Sequence, residues 1–132
     1  MRIDSALRAE LLDVYAHYAH SIDDGDAIAW AECFTPDGVL WSSRGFEVAG
    51  REALRLFAES RHRERPAPER HASWHHLFTR TGDGVVGRCS AAILRTTPGA
   101  VEVVFAATYR DLLVPSTSGW MISRRDVHID EP

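Results

Sequence analysis

The chain is expected to fold as an α+β domain. It would be a cone-shaped α+β barrel: a strongly curved antiparallel or mixed sheet whose central cavity is closed by three helices from the N-terminal half. Three observations predict this. Helical periodicity occupies the first 34 residues and returns once, at residues 51–64, before a second half made of strands. Those strands run about nine to fourteen residues against a usual ~5–6, and short turns join them, which implies a bent antiparallel meander. The second and third long strands are rich in small residues on both faces (Gly87, Cys89, Ser90, Ala91, Ala92, Ala106, Ala107), and small side chains inside a cone leave a void.

Each element has its own signals. Asp4 or Ser5 can cap a first helix, and Leu7, Leu11, Val14, Tyr15, Tyr18, Ala19 and Ile22 recur at spacings of three and four to make its buried stripe. Asp13, His17 and His20 lie off that stripe and are expected in solvent. Gly25 can take the left-handed conformation that ends this helix, and Asp26 can cap the next, Ala27 to Phe34, with Ile28, Ala31 and Phe34 inward. Thr35-Pro-Asp-Gly38 reads as a turn. Val39 to Ser43 follows as a strand, with Val39 and Trp41 on one face and Leu40 and Ser42 on the other. Phe46 to Val48 is a short strand. A third helix runs from Arg51 to about Glu64, with Ala53, Leu54, Phe57 and Ala58 inward, and Pro66 and Pro68 end it. Long strands are expected at Ala72–Arg80, Val85–Leu94, Val101–Val114 and Trp120–Ile129.

At 132 residues with 45% hydrophobic and 26% charged residues, one domain spanning 1–132 with a real core is expected. A net charge of −4 argues against a nucleic-acid partner, which would call for a basic surplus. Arg61-His-Arg-Glu-Arg65 reads as a solvated helix end. Cys33 and Cys89 have no CxxC spacing and read as small core residues. With no run near the ~20 apolar residues of a membrane span and no apolar signal core, a cytoplasmic protein is expected.

The stretch Tyr18-Ala-His-Ser-Ile-Asp-Asp-Gly-Asp26 concentrates carboxylates at a helix end. Asp-Asp-Gly-Asp is ordinary turn chemistry, but Asp23 can also point into the cavity and meet a strand histidine. His76 is the candidate. In a straight strand it shares a face with Trp74 and Phe78, while His75 faces the other way. His71, His75 and His76 do not suggest a metal, because a spacing of four suits a helix face and not a strand. Trp41, Phe57, Trp74, Phe78 and Phe105 are candidates for the substrate wall. Arg125 shares a face with Met121, Ser123 and Val127 unless a bulge reverses it.

The ordered set of Tyr18-x-x-x-Ile22-Asp23-x-Gly25-Asp26, Phe34-Thr-Pro-Asp37-Gly-Val, Gly50-Arg-Glu-Ala-Leu54, His76-Leu-Phe-Thr79, Tyr109-Arg-Asp-Leu-Leu113 and Gly119-Trp-Met-Ile-Ser-Arg-Arg125 resembles the nuclear-transport-factor-2-like superfamily in its SnoaL-like branch. The resemblance spans about residues 5 to 129. It implies the cone fold, and it admits isomerases, dehydratases, cyclases and non-catalytic modules. Scytalone dehydratase and hexachlorocyclohexane dehydrochlorinase carry an aspartate–histidine dyad that this comparison sets on Asp23 and His76. The dehydrochlorinase arginine matches Arg125. The second active-site histidine of scytalone dehydratase falls near Ala106. The ketosteroid isomerase tyrosine matches Tyr18, but that enzyme's aspartate base falls on Ser42, which cannot serve as a carboxylate base.

The resemblance therefore implies a cofactor-independent lyase, isomerase or cyclase acting on a small apolar or polyketide-like molecule. His76 would be the base, Asp23 its orienting partner, Tyr18 an oxyanion donor and Arg125 a charge stabiliser. The alternatives are a non-catalytic ligand-binding or assembly module of the same fold, or the small subunit of a ring-hydroxylating dioxygenase. No cofactor, metal or membrane partner is expected, and a homodimer through the outer sheet face is.

Overall fold

A computed structural model of the chain describes residues 2–132. Helix α1 (Ser5–Asp24) begins at Asp4, whose carboxylate accepts the Leu7 N–H at 2.8 Å, and ends at Gly25, which sits at φ 77°. A side chain at Gly25 would be strained there and would also meet the His62 ring within 2.9 Å. Asp26 accepts the Ala29 N–H at 3.0 Å and opens α2 (Ala27–Glu32). Each such cap is worth about 1 kcal/mol.

The short α2 buries Ala27, Trp30 and Ala31, whereas Ile28 is 61% exposed. The stripe is therefore 27, 30, 31, 34, and the large residue that α2 delivers to the interior is Trp30. The expected turn at residues 35–38 belongs instead to strand β1 (Phe34–Ser42), as an irregularity in its pairing between Phe34 and Val39. Strand β2 (Phe46–Ala49) and helix α3 (Arg51–Glu64) follow. Then come β3 (Glu69–Thr81), β4 (Gly84–Thr97), β5 (Ala100–Ser116) and β6 (Gly119–Ile129).

The six strands form one mixed sheet in the order β2-β1-β6-β5-β4-β3. β1 and β6 run parallel, and the other neighbours run antiparallel. This is the expected α+β architecture of three helices on a six-stranded sheet. Helix α1 packs against β3 and β6, α3 against β1 and β2, and α2 bridges α1 and α3. Leu11, Trp30, Phe34, Leu54, Val85, Leu113 and Ile122 are almost wholly buried between the helices and the sheet.

Two bulges decide which side chains face inward. From the pair Trp74–Ser90 to the pair Leu77–Arg88, β3 advances three residues while β4 advances two. The extra residue falls at His75, which takes φ 57° without being glycine. Beyond it the alternation is reversed, so His71 and Ser73 share the inner face with His76 and Phe78. Trp74 is turned outward and is 41% exposed. In β6 a second irregularity lies between the pairs Leu112–Arg124 and Leu113–Ile122. It places Arg125 inward with Val127 and Ile129, on the face opposite to Met121.

Candidate functional site

The ends of α1 and β3 meet at one contact. Asp23, the last residue but one of α1, accepts the backbone N–H of His71 with both carboxylate oxygens, at 3.0 and 3.1 Å. Its Oδ1 is also 2.7 Å from Nδ1 of the His71 ring. An ionised carboxylate only accepts hydrogen bonds, so the ring donates from Nδ1, and in the neutral imidazole this leaves the lone pair on Nε2. Both side chains are largely buried, with 13% of His71 and 8% of Asp23 exposed. The carboxylate therefore fixes the ring's tautomer and its orientation together.

The imidazole forms part of the wall of a cavity of about 190 Å³. The other walls come from every layer: Tyr18 and Ile22 of α1, Trp30 of α2, Phe57 and Arg61 of α3, and Leu40 and Ser42 of β1. Ile93, Phe105, Tyr109, Val127 and Ile129 close the sheet side, and Arg44 and Phe46 come from the β1–β2 corner. The surface is mostly apolar with a few convergent polar groups, which is the character of a small-molecule site.

Beside the cavity lies a buried ionic cluster. Arg125 is fully buried and donates from Nε to Asp111 Oδ1 at 2.8 Å and from Nη2 to Asp111 Oδ2 at 2.9 Å. Tyr15 donates its hydroxyl to the same carboxylate. The guanidinium carbon lies 4.2 Å from the ring centre of Tyr18 and 4.1 Å from that of Tyr109. Its Nη1 has no hydrogen-bond acceptor, and these two ring faces are its compensation. Burial disfavours the charge on Arg125, but Asp111 outweighs it and holds the pKa above the ordinary arginine value. Burial raises the Tyr18 hydroxyl against the opposing pull of Arg125, so it stays a protonated donor at neutral pH. Gly87 leaves the room this cluster needs, because a Cβ there would lie 2.7 Å from the Tyr15 hydroxyl.

The expected contact between Asp23 and His76 is not formed. His76 Nε2 lies 3.0 Å from Ser73 Oγ, and its ring packs edge-on to Tyr15 and against Phe78. Burial, followed by the nearby Arg8 and Arg125, lowers its pKa. Position along β3 is the physical reason: His76 lies five residues beyond His71, where Arg8 and Tyr15 of the earlier turns of α1 pack on it, whereas Asp23 closes the far end of that helix opposite His71.

The other candidates divide in the same way. Tyr18, Phe57 and Phe105 line the cavity. Trp41 lies on the other face of β1 from Leu40 and Ser42 and packs on His128, with ring centres 5.2 Å apart. Trp74 faces out, and Phe78 packs on Tyr15 beneath the Arg8 guanidinium. Arg125 does not line the cavity. It reaches it through Tyr18 and Tyr109, and it borders a separate water-sized void of about 10 Å³ with His71 and Ser73. Sequence reasoning missed Trp30, Ser42, Arg44, Arg61, Tyr109 and Asp111, and it weighed His71 only as a metal ligand. The signal available for His71 was its position at the start of a strand and 48 residues after Asp23. Among the described residues, no group of three His, Cys, Asp or Glu side chains is placed to hold a metal ion. No described helix is long and apolar enough to cross a membrane.

The SnoaL-like domain model matches residues 4–126, nearly the whole chain. The chain belongs to the SnoaL-like domain family. No sequence among the curated proteins matches this SnoaL-like chain. Several solved structures share its fold. A Catenulispora acidiphila protein in complex with S-DNPA is 27% identical, with a TM-score of 0.88 over 96% of each chain. ActVI-ORFA of Streptomyces coelicolor is 25% identical, with a TM-score of 0.84 over 94% of this chain and 98% of that one. Rv3472 of Mycobacterium tuberculosis, a protein of unknown function, is 27% identical, with a TM-score of 0.87 over 94% of this chain and 72% of that one. Another neighbour, from Novosphingobium aromaticivorans, is described as an NTF2-like protein with a cystatin-like fold.

Proposed function

We propose that this SnoaL-like domain is a cofactor-independent lyase, isomerase or cyclase that removes a proton from carbon in a small apolar or polyketide-like molecule. One observation carries the proposal: the His71 imidazole, held at Nδ1 by Asp23, forms part of the wall of a largely apolar cavity. The family's range, which includes polyketide cyclases and isomerases, is consistent with it. So is the neighbour that holds S-DNPA.

Nε2 of His71 takes a proton from a C–H next to a carbonyl, and the bonding pair moves into the carbonyl to give an enolate. Asp23 stabilises the imidazolium that results. Tyr18, a protonated phenol in the same wall, donates to the enolate oxygen. Arg125 packs on the rings of Tyr18 and Tyr109 and its partner Asp111 accepts from Tyr15, so the pair holds the three rings in place. The enolate then collapses by expelling a β-substituent, by attacking a second carbonyl, or by taking the proton back at another carbon. These outcomes are elimination, cyclisation and isomerisation. General-base catalysis of this kind is worth ~10²–10⁴-fold.

The test is exchange of the α-protons of 2-tetralone and related aryl ketones into deuterated water, followed by proton NMR. The wild type is expected to exceed the buffer rate, and His71→Ala to fall back toward it. Equal rates in the two proteins would leave a binding module as the better account.

A further inference from the structure

We propose that the natural ligand of the cavity is an aromatic carboxylate, with its acid group held by Arg44 and Arg61 and its ring system between the aromatic walls. Arg44 and Arg61 both line the cavity, and no aspartate or glutamate does. Composition does not explain this, because the whole chain carries a net charge of −4. Positive charge has been gathered at one concave, apolar-walled place, where low-dielectric surroundings focus the field on an anion.

The two arginines are not consumed by the protein's own carboxylates. Among the described residues Arg44 pairs only with Glu131, at 3.5 Å, with both side chains half exposed or more. Such a surface pair is worth little and yields readily to a ligand. Arg61 donates from Nη2 to Glu69 Oε1 at 3.2 Å. The other oxygen of Glu69 is already bound by Arg95, at 3.1 and 2.6 Å. Arg61 at the cavity wall thus shares one buried carboxylate with Arg95 behind it, which leaves the charge of Arg61 only partly neutralised. A guanidinium presents a planar fork of N–H donors that matches a carboxylate in two parallel hydrogen bonds.

The aromatic half of the ligand is specified by the same walls. The Arg44 guanidinium lies 5.3 Å from the ring centre of Phe105, and Phe46 packs on Phe57 with ring centres 5.7 Å apart. Trp30 lies behind Phe57 at 6.0 Å, with the rings nearly parallel. An aromatic plane laid against these rings puts a carboxylate substituent within the arginines' reach. The orientation of the reacting C–H toward His71 rests on the base proposed above, whereas the selectivity for an anion does not.

The experiment is calorimetric titration of the intact protein with 2-naphthylacetate, its methyl ester and 2-naphthylethylamine at pH 7.5. The wild type is expected to bind the acid about tenfold or more tighter than the ester, and the amine weakest. Raising the salt should shrink the ratio of acid to ester. In the Arg44→Gln/Arg61→Gln double variant the ratio should fall to near one while the ester's affinity is kept. In His71→Ala the ratio should persist. A wild type that binds the ester as tightly as the acid overturns the proposal, as does one that binds none of the three. A double variant that keeps the ratio also overturns it. If the ratio holds but no exchange is catalysed, the base at His71 fails and the anion site stands. If exchange is lost in His71→Ala but the ratio is near one, the opposite is true.

Discussion

Asp23 grips His71 twice, through the backbone N–H and through Nδ1 of the ring, so one carboxylate both anchors the first residues of β3 to the end of α1 and orients the imidazole. The end of a helix and the start of a strand are joined by a group that also has a chemical use.

Asp23→Asn separates those two roles. Its side-chain oxygen can still accept the backbone N–H, but an amide facing Nδ1 favours the tautomer protonated at Nε2. Exchange activity is expected to fall by ~10²–10⁴-fold with little change in melting temperature. Long-range nitrogen–proton correlation spectra should show His71 protonated at Nδ1 in the wild type and at Nε2 in the variant. A variant that keeps the Nδ1–H tautomer would contradict the role given to Asp23.

Arg125 and Asp111 should behave as a buried pair. Removing one partner strands a charge in a dry interior and typically costs ~3–5 kcal/mol, whereas replacing both with apolar residues is often close to neutral. Arg125→Met is therefore expected to be strongly destabilised, and Arg125→Met/Asp111→Leu to recover most of the stability. Urea unfolding of the three proteins checks this. If the double variant loses about as much as the two singles added together, the pair is not the unit described.

Much of the frame was legible in the sequence. Gly25 in the left-handed conformation, the caps at Asp4 and Asp26, helix α3 and the long strands all follow from local chemistry. Helical periodicity puts Tyr18 and Phe57 on inward faces, while the site role of Tyr18 comes from the family resemblance and Phe105 is one of several aromatics that could line the cavity or fill the core. What escaped depends on contacts far apart in the chain. The bulge at His75 carries no glycine to mark it, and one extra residue moved the inner face of β3 from Trp74 to His71 and Ser73. Starting that strand at Ala72 instead of Glu69 left His71 outside it. Trp30 was hidden because a six-residue helix gives too few turns to fix its buried side.

His76 gives a pH signature distinct from the site. It faces Arg8, Arg125, Asp111, Ser73 and Tyr15, and burial followed by the two arginines lowers its pKa. A folded pKa below the unfolded value of ~6.5 means that its contribution to stability is present above that value. It is lost as the pH falls through the lower, folded one. The urea midpoint of the wild type is expected to drop more between pH 7.5 and pH 5 than that of His76→Gln. Equal drops would remove His76 from the account.

We propose that the outer sheet face joins two copies of the chain. Leu77, Val86 and Val103 on that face are 65%, 46% and 63% exposed, and the helices pack on the other face. Light scattering at micromolar concentration should give a dimer mass, and Leu77→Lys/Val103→Lys should give a monomer. A monomeric wild type would contradict the proposal.

The most direct test of the central claim compares two histidines in one assay. Proton exchange of 2-tetralone into deuterated water is measured for the wild type, His71→Ala and His76→Ala at equal folded concentration. Loss of exchange in His71→Ala, with most of the rate kept in His76→Ala, is the result predicted by a base at the cavity wall held by Asp23. Retention in His71→Ala, or loss confined to His76→Ala, would contradict it.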